Sequence, residues 1–284
     1  MRYFDSAEDF EIEHDYDAVI LIGNGFDLNF GLKTGYCDFI KSSNFEKLIT
    51  KNSDLAKHLL NRHNLQNWID IENELKSYSR FAGGTKENFF EEFKSLCAAL
   101  MDYLANIDIK LNKKSASYKL IESVKELNTL IIDFNYTSTL QKVLLELESE
   151  DNTLYIDHIK IHGSIEKSNI IFGVEDKAKI YEDDVFLKKS VNVNFQSIDF
   201  SEAIEGSSNF IIFGHSLGET DYMYYDDFFK KACKQGDIYD KKSVIIYHYG
   251  EESYFNLFRQ IDNLTAKNIT RFKQYNKVKL IDTK

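Results

Sequence analysis

Five short apolar runs punctuate the chain, each closed by a glycine or a polar turn: Ala18–Ile22 (AVILI), Leu130–Phe134 (LIIDF), Tyr155–Ile161 (YIDHIKI), Phe210–Phe213 (FIIF) and Val244–Tyr247 (VIIY). They are rich in β-branched and aromatic residues and do not alternate strictly with polar ones. That is the pattern of strands buried on both faces, as in a parallel sheet covered by helices. Most are followed by helical spacing, so the chain predicts a doubly wound α/β fold with a mostly parallel sheet.

From about Asp38 to Leu127 the pattern changes to helical periods of three and four. Phe89, Phe93, Leu96, Cys97, Leu100 and Leu104 form one apolar stripe. Gly83-Gly84 breaks the chain before that stripe and Thr85 is placed to cap it. A second helix is predicted over Leu65–Tyr78, with Trp68, Ile71 and Leu75 on one side. No linker-like stretch flanks the region, so it reads as a helical insertion over 41–127 within one domain of 1–284. A further helix is predicted over Ser138–Glu148, with Leu140, Val143, Leu144 and Leu147 inward. Lys177–Asp199 is charged, irregular and compatible with a loop, a flap or a pair of edge strands.

Composition narrows the partners. A formal charge of -11 over 284 residues opposes broad binding to phosphodiester backbones, which ranks nucleic acid low. The three cysteines are scattered and form no CxxC pair, so neither a disulfide framework nor a thiolate zinc site is expected. Cys97 reads as a small core hydrophobe. The acidic start lacks the apolar core of a signal peptide, and no run approaches the ~18 apolar residues of a membrane span. A cytoplasmic protein with no membrane partner is the expectation. With no proline in the chain, turns and helix ends are marked by Gly, Asn, Asp and Ser.

Four motifs follow four of the predicted strands, where ligands of open α/β sheets bind. Gly23-Asn24-Gly25-Phe26-Asp27 follows AVILI: glycine there allows a phosphate to approach backbone N–H groups, and the next helix start favours an anion. Leu28 stands where a third glycine would complete G-x-G-x-x-G, so the dinucleotide fingerprint does not match. A tight turn without ligand remains an alternative. Asn135 ends LIIDF, placed to cap a helix or face a ligand. His162 and Gly163 end YIDHIKI, and a histidine there suits either a structural role or general-base work. Gly214, His215, Ser216 and Asp221 follow FIIF, with Ser216 and Asp221 within reach of a ribose or adenine. GHSLG satisfies G-x-S-x-G, but a hydrolase elbow needs a downstream acid and histidine. Only His248 follows, so the match is read as coincidental.

LIGNGFDLNFGLKTGYCDF, NWIDIENEL, FNYTSTL, IHGSI, FGVED and FGHSLGETDYMYY occur in this order over about Ile20–Tyr225. The series resembles the AbiH family of bacteriophage abortive-infection proteins. More distantly it is similar to the sirtuin fold and to sirtuin-like NADases of antiphage defence. That resemblance implies a Rossmann-like, sirtuin-like sheet and NAD as substrate or ligand, without a metal. Asn135 would hold the ribose or the attacking water, and His162 would be the general base. Gly23, Asn24, Gly25, Phe26, Asp27 and Thr34 would line the dinucleotide, with Gly163, Gly214, His215, Ser216 and Asp221 completing its pocket. Thr137 departs from the aspartate of the relatives' N-Y-D pattern, and the zinc-ribbon cysteines of deacetylating sirtuins are absent.

Three readings follow. The first is an antiphage effector that binds NAD or a related nucleotide and hydrolyses its nicotinamide–ribose bond. Its partners would be that nucleotide and a phage-derived or defence-system protein trigger. The second is a non-catalytic nucleotide sensor. The third, a nuclease, is disfavoured by charge and by the lack of a metal constellation. The acidic run Asp70, Glu72, Glu74 beside Trp68 reads as a solvated helix face, with a reach into the site as the alternative. Asp226-Asp227 has no histidine spaced for a metal. Tyr222, Tyr224 and Tyr225 fit either packing on the sheet or a contact in a homo-oligomer.

Overall fold

Every predicted strand forms, and two more join them. The strands are β1 (Arg2–Phe4), β2 (Ala18–Ile22), β3 (Thr129–Asp133), β4 (Ile156–Lys160), β5 (Asn209–Phe213), β6 (Ser243–His248) and β7 (Lys277–Asp282). This computed structural model describes residues 1–4, 16–66, 70–82, 88–149, 153–234 and 241–284. Among them the strands form one 7-stranded sheet in the order β1-β4-β3-β2-β5-β6-β7. Every neighbouring pair is parallel. The fold is thus an all-parallel, Rossmann-like α/β arrangement.

Residues two apart along the strands share a face, and both faces are apolar. Val19, Leu21, Leu130, Ile132, Phe210 and Ile212 pack into one core layer, whereas Ile20, Ile22, Ile131, Ile211 and Phe213 pack into the other. Each such side chain, fully buried, stabilises the fold by about 1.5–3 kcal/mol. The first layer is closed by α9 (Ser201–Gly206), α10 (Asp226–Lys231), α11 (Gly250–Leu264) and α12 (Ile269–Tyr275). The second is closed by α1 (Gly25–Asn29), α7 (Ala116–Val124) and α8 (Thr139–Ser149). In α8 the four expected residues, Leu140, Val143, Leu144 and Leu147, are all buried.

Between β2 and β3 the chain also forms α2 (Tyr36–Ile40), α3 (Ser43–Thr50), α4 (Asp54–Gln66), α5 (Ile71–Ala82) and α6 (Phe89–Ala105). These five close around a third core together with Ile170, Phe172, Val174 and Leu187. By contrast α7, which falls inside 41–127, lies on the sheet. Five of the six stripe residues of α6 are buried, and Cys97 is half-buried against the same core. The helix predicted over Leu65–Tyr78 is instead parts of α4 and α5. Asp70 explains the break: its Oδ1 accepts the Asn73 N–H at 3.1 Å and starts a new helix there. Ile71 and Leu75 are buried as expected. Trp68, Gly83, Gly84 and Thr85 lie outside the described residues.

The two unanticipated strands lie at the edges. β1 is three residues long and docks on β4 through Arg2, whose guanidinium grips Asp157 at 2.8 and 2.6 Å. β7 reads KVKLID, with its first and third residues, both lysines, exposed. Such half-exposed strands lack the continuous apolar run that marks the central ones. Lys177–Asp199 forms short 3-10 turns at Glu182–Leu187 and Lys189–Val191 and no strand, its one bridge being Val174 to Lys188. Among the described residues no helix is long and apolar enough to cross a membrane.

Candidate functional site

Strand register places the four motifs side by side. Ile22 pairs with Asp133 and with Phe213, and Asp133 pairs with Lys160, so β2, β3, β4 and β5 end level. Two residues beyond that row stand Asn24, Asn135, His162 and His215. The chain steps from β2 outward to β3 and β4, then returns to β5 on the far side of β2. The reversal makes the β2–β5 junction the topological switch point, where open sheets hold ligands.

At that junction the two glycine turns pack on each other. Gly25 N–H donates to the Gly214 carbonyl at 2.9 Å, and Gly23 N–H donates to that of Phe213 at 3.1 Å. A Cβ on Gly23 would lie 2.7 Å from the Gly214 oxygen, and one on Gly25 2.5 Å from the Gly214 Cα. Gly214 itself has φ +65°, and a Cβ there would lie 2.4 Å from the Phe26 nitrogen. The close approach that glycine permits is therefore, in this conformation, backbone to backbone. Phe26 is wholly buried in the sheet core, edge-on to Phe30 and Phe213. Asn24 is exposed, and its Oδ1 accepts from Thr34 Oγ1 at 2.5 Å.

Behind the turns lies a buried acid. Asp27 Oδ2 accepts from Thr137 Oγ1 at 2.6 Å, while its Oδ1 has no hydrogen-bond partner among the described residues. Burial pushes the Asp27 carboxyl up to about 6, against the pull of the Thr137 hydrogen bond. Thr137, the departure from the N-Y-D pattern, thus serves Asp27. Asn135 ties β3 to β2: its Nδ2 donates to the Gly23 carbonyl at 3.2 Å and its N–H to Asp133 Oδ1 at 2.9 Å. That leaves the amide oxygen of Asn135 to accept from a ligand hydroxyl or a water. The Asn135–Thr137 loop is stapled by Lys160, whose buried ammonium donates to the carbonyls of Asn135 at 2.6 Å and Thr137 at 2.7 Å. It also meets Asp133 at 3.2 Å, as does His158 at 3.1 Å. Burial opposes the Asp133 charge, but Lys160 and then His158 outweigh it and hold the carboxyl below its usual value.

The other half of the site converges on Asp221, in a 3-10 turn over Glu219–Tyr224. Its Oδ1 meets His162 Nε2 at 3.1 Å and Lys189 Nζ at 3.0 Å, and its Oδ2 meets His215 Nε2 at 3.4 Å. Leu217 N–H donates to His215 Nδ1 at 3.0 Å, which leaves Nε2 of that ring to carry its proton toward Asp221. Lys189 also reaches Glu72 Oε2 at 3.3 Å and His162 Nε2 at 3.5 Å. His162, His215, Asp221 and Lys189 are all buried. Burial would raise Asp221, but Lys189 and then His162 hold it well below the ordinary carboxylate range. Burial, and next Lys189, lower His162 below its ordinary value and so favour the neutral ring. Burial pushes Glu72 up to about 7 against the opposing pull of Lys189. The aromatic walls are Phe134, 4.3 Å from His215 and 5.4 Å from His162 between ring centres, and Tyr136.

Lys160, Lys189 and Tyr136 are not among the expected site residues, and Glu72 is expected there only under the alternative reading of the acidic run. Lys160 had a signal: an ionisable residue inside a strand buried on both faces requires a partner. Lys189 had none, since it comes from the irregular segment. The acidic run is no solvated face, since Glu72 joins the site and Glu74 is buried against Arg62 at 3.0 Å and His58 at 3.3 Å. Gly163, at φ +70°, lets the loop behind His162 close, because a Cβ would lie 2.2 Å from the Asn169 oxygen. In GHSLG the residues turned inward are His215, toward Asp221, and Leu217, into the sheet core. Ser216 is exposed, and a 3-10 turn stands where a hydrolase elbow needs a helix. Tyr224 and Tyr225 pack in the sheet core, with Tyr222 half-buried against it. Asp226 and Asp227 pair with Lys230. Among the described residues no group of three or more His, Cys, Asp or Glu is arranged to hold a metal ion. A surface cavity of about 430 Å³, lined by Lys33, Ser43, Tyr103 and Asn106 among others, contains none of the strand-end residues.

The sequence profile described as "Bacteriophage abortive infection AbiH" matches residues 19–127 and 76–239, which include the whole strand-end cluster. Among curated proteins none is similar enough in sequence to count as a relative. With most of its length matched, the chain belongs to the AbiH family of bacteriophage abortive-infection proteins and takes its antiphage role from that membership.

Proposed function

We propose that this abortive-infection protein binds NAD or a related nucleotide beyond the carboxyl ends of β2–β5 and hydrolyses the nicotinamide–ribose bond. The observation that carries the reading is the placement of His162: its Nε2 lies 3.1 Å from the buried Asp221 carboxylate, one strand away from Asn135, where a ring with its proton on Nε2 would donate to Asp221. Its free lone pair is then on Nδ1, the arrangement of a general base oriented by a buried carboxylate. Asn135 supplies an amide oxygen to orient a water or a ribose hydroxyl. The water oxygen bonds to the ribose carbon, and the glycosidic C–N bond breaks with its electron pair passing to nicotinamide. The proton lost by the water goes to His162 Nδ1. Positive charge building on the ribose would face Asp221 and Glu72, only partly offset by Lys189.

The two glycine turns fit a ribose end of the site better than a phosphate cradle, because Gly25 N–H is already used. Asn24 and Ser216, both exposed, are the expected residues available to the outer part of the nucleotide. The protein incubated with NAD, with and without phage-infected lysate as trigger, should release nicotinamide and ADP-ribose in equal amounts. His162→Ala should lower the rate by ~10²–10⁴, with Asn135→Ala also impaired. No release under either condition overturns hydrolysis. Calorimetric binding of NAD without product would identify a nucleotide sensor, a reading favoured by the deep burial of the cluster.

A further inference from the structure

The segment between β4 and α9 delivers Lys189 into the site with its backbone held on both sides. Lys189 N–H donates to the Val174 carbonyl at 2.9 Å, and Val174 N–H donates to that of Leu187 at 2.8 Å. Ser79 accepts the Tyr181 N–H at 2.8 Å and donates to Asp184 at 2.7 Å, while Ser190 donates to Asp176. The side chain is 4% exposed, and its ammonium lies between Asp221, Glu72 and His162. Burying an ammonium is costly unless paired, and two carboxylates pair this one.

We infer that Lys189 is the positioning residue that keeps His162 uncharged and ready to accept a proton. The inference rests on the reading of His162 as the base. Two geometric facts carry it. The ammonium shares Asp221 Oδ1 with His162 Nε2, so it offsets part of the carboxylate charge that would otherwise stabilise an imidazolium. It also stands 3.5 Å from that same ring nitrogen, where a second positive charge would be repelled. The other groups facing the ring do not replace it. They are Asp221 and Tyr224 from the 3-10 turn, His215 beyond β5 and Tyr136 beyond β3. Behind them, Glu72 interacts with Lys189 and Asp221, Asp70 with Lys189, and Tyr36 with Glu72 and Asp221. Asp221 favours the imidazolium, and Lys189 opposes it with a full charge whose own pKa is raised by Asp221 and Glu72 against burial.

Lys189→Met alone leaves two carboxylates without their cation, so the test pairs it with Glu72→Gln to keep the charge balanced. The protein is labelled at histidine with ¹⁵N, and the His162 signal is assigned by its loss in His162→Gln. In the wild-type protein His162 titrates below the ordinary value of ~6.5, and a midpoint above it overturns the inference. In the double variant the midpoint rises by about one pH unit or more, and Lys189→Arg, which keeps the charge, restores it. A folded double variant whose His162 titrates as in the wild type overturns the inference. The acidic limb of the NAD hydrolysis profile should move up with the midpoint. A moved midpoint without any hydrolysis refutes the base and leaves the positioning. Hydrolysis with an unmoved midpoint does the reverse.

Discussion

Three glycine-to-alanine substitutions separate the cost of a left-handed backbone from the cost of a Cβ in the packed turns. Gly31 has φ +83° with nothing within 4 Å of an added Cβ. Alanine there meets only the left-handed penalty of ~1–2 kcal/mol, offset by the ~0.4–1 kcal/mol that a stiffer unfolded chain returns. Gly23 has an ordinary φ, but its Cβ would meet the Gly214 oxygen and the His215 Cα at 2.7 Å. Both are backbone atoms that cannot rotate away, so overpacking of ~1–3 kcal/mol is expected. Gly214 carries both burdens, with φ +65° and contacts of 2.4 and 2.5 Å to Phe26 and Gly25 backbone. Its alanine variant should lose on the order of 3–5 kcal/mol, against a total of ~5–15 kcal/mol for a typical domain. At ~2–4 °C per kcal/mol for a chain somewhat smaller than this one, Gly214→Ala should melt roughly 10 °C below the wild type. Gly23→Ala should fall between it and Gly31→Ala. Urea and thermal unfolding of the three, without nucleotide, give the ranking. Were Gly31→Ala as costly as Gly214→Ala, or Gly23→Ala neutral, the turns would not be packed on each other, and ligand approach would be the better reason for glycine.

Two buried carboxyls should respond to pH with opposite signs. Asp27, raised from 3.8 to about 6, favours the fold below pH 3.8 and loses that contribution as pH rises through 6. Asp27→Asn should therefore gain on the order of 3 kcal/mol relative to the wild type between pH 4 and 7.5; stability curves that stay parallel would refute the shift. Asp133, held below 3.8 chiefly by Lys160, contributes stability above that value and loses it as pH falls. Asp133→Asn should cost ~3–5 kcal/mol at neutral pH by leaving Lys160 with carbonyls alone, and adding Lys160→Met should recover part of it; unfolding midpoints that do not recover would show that the ion pair is not the cause.

The central strands and α8 were legible because their burial is written in the residues themselves. AVILI and FIIF have no polar residue and LIIDF only Asp133, so they must lie inside a two-sided sheet, and the turns that end them fall at its carboxyl edge. Membership in the AbiH family was also legible, since GNGFDL and the later motifs keep their order along the chain. The edge strands were less so: β1 has three residues and β7 keeps its lysines in water. The break between α4 and α5 depended on one capping aspartate inside a stretch whose apolar spacing runs on through it.

Local sequence alone determined which strand ends carry polar groups, because that needs only periodicity and punctuation. Tertiary structure decided what those groups face. Asn135 and His162 sit in one row because β2, β3, β4 and β5 end in register, a relation between residues far apart in the chain. The glycines meet each other because the strand order reverses between β2 and β5. Lys189, from a segment with no regular pattern, reaches Asp221 and His162 only once the third core is packed. The downward shift of His162 has burial and that distant charge as its largest causes, and neither is a property of its neighbours in sequence.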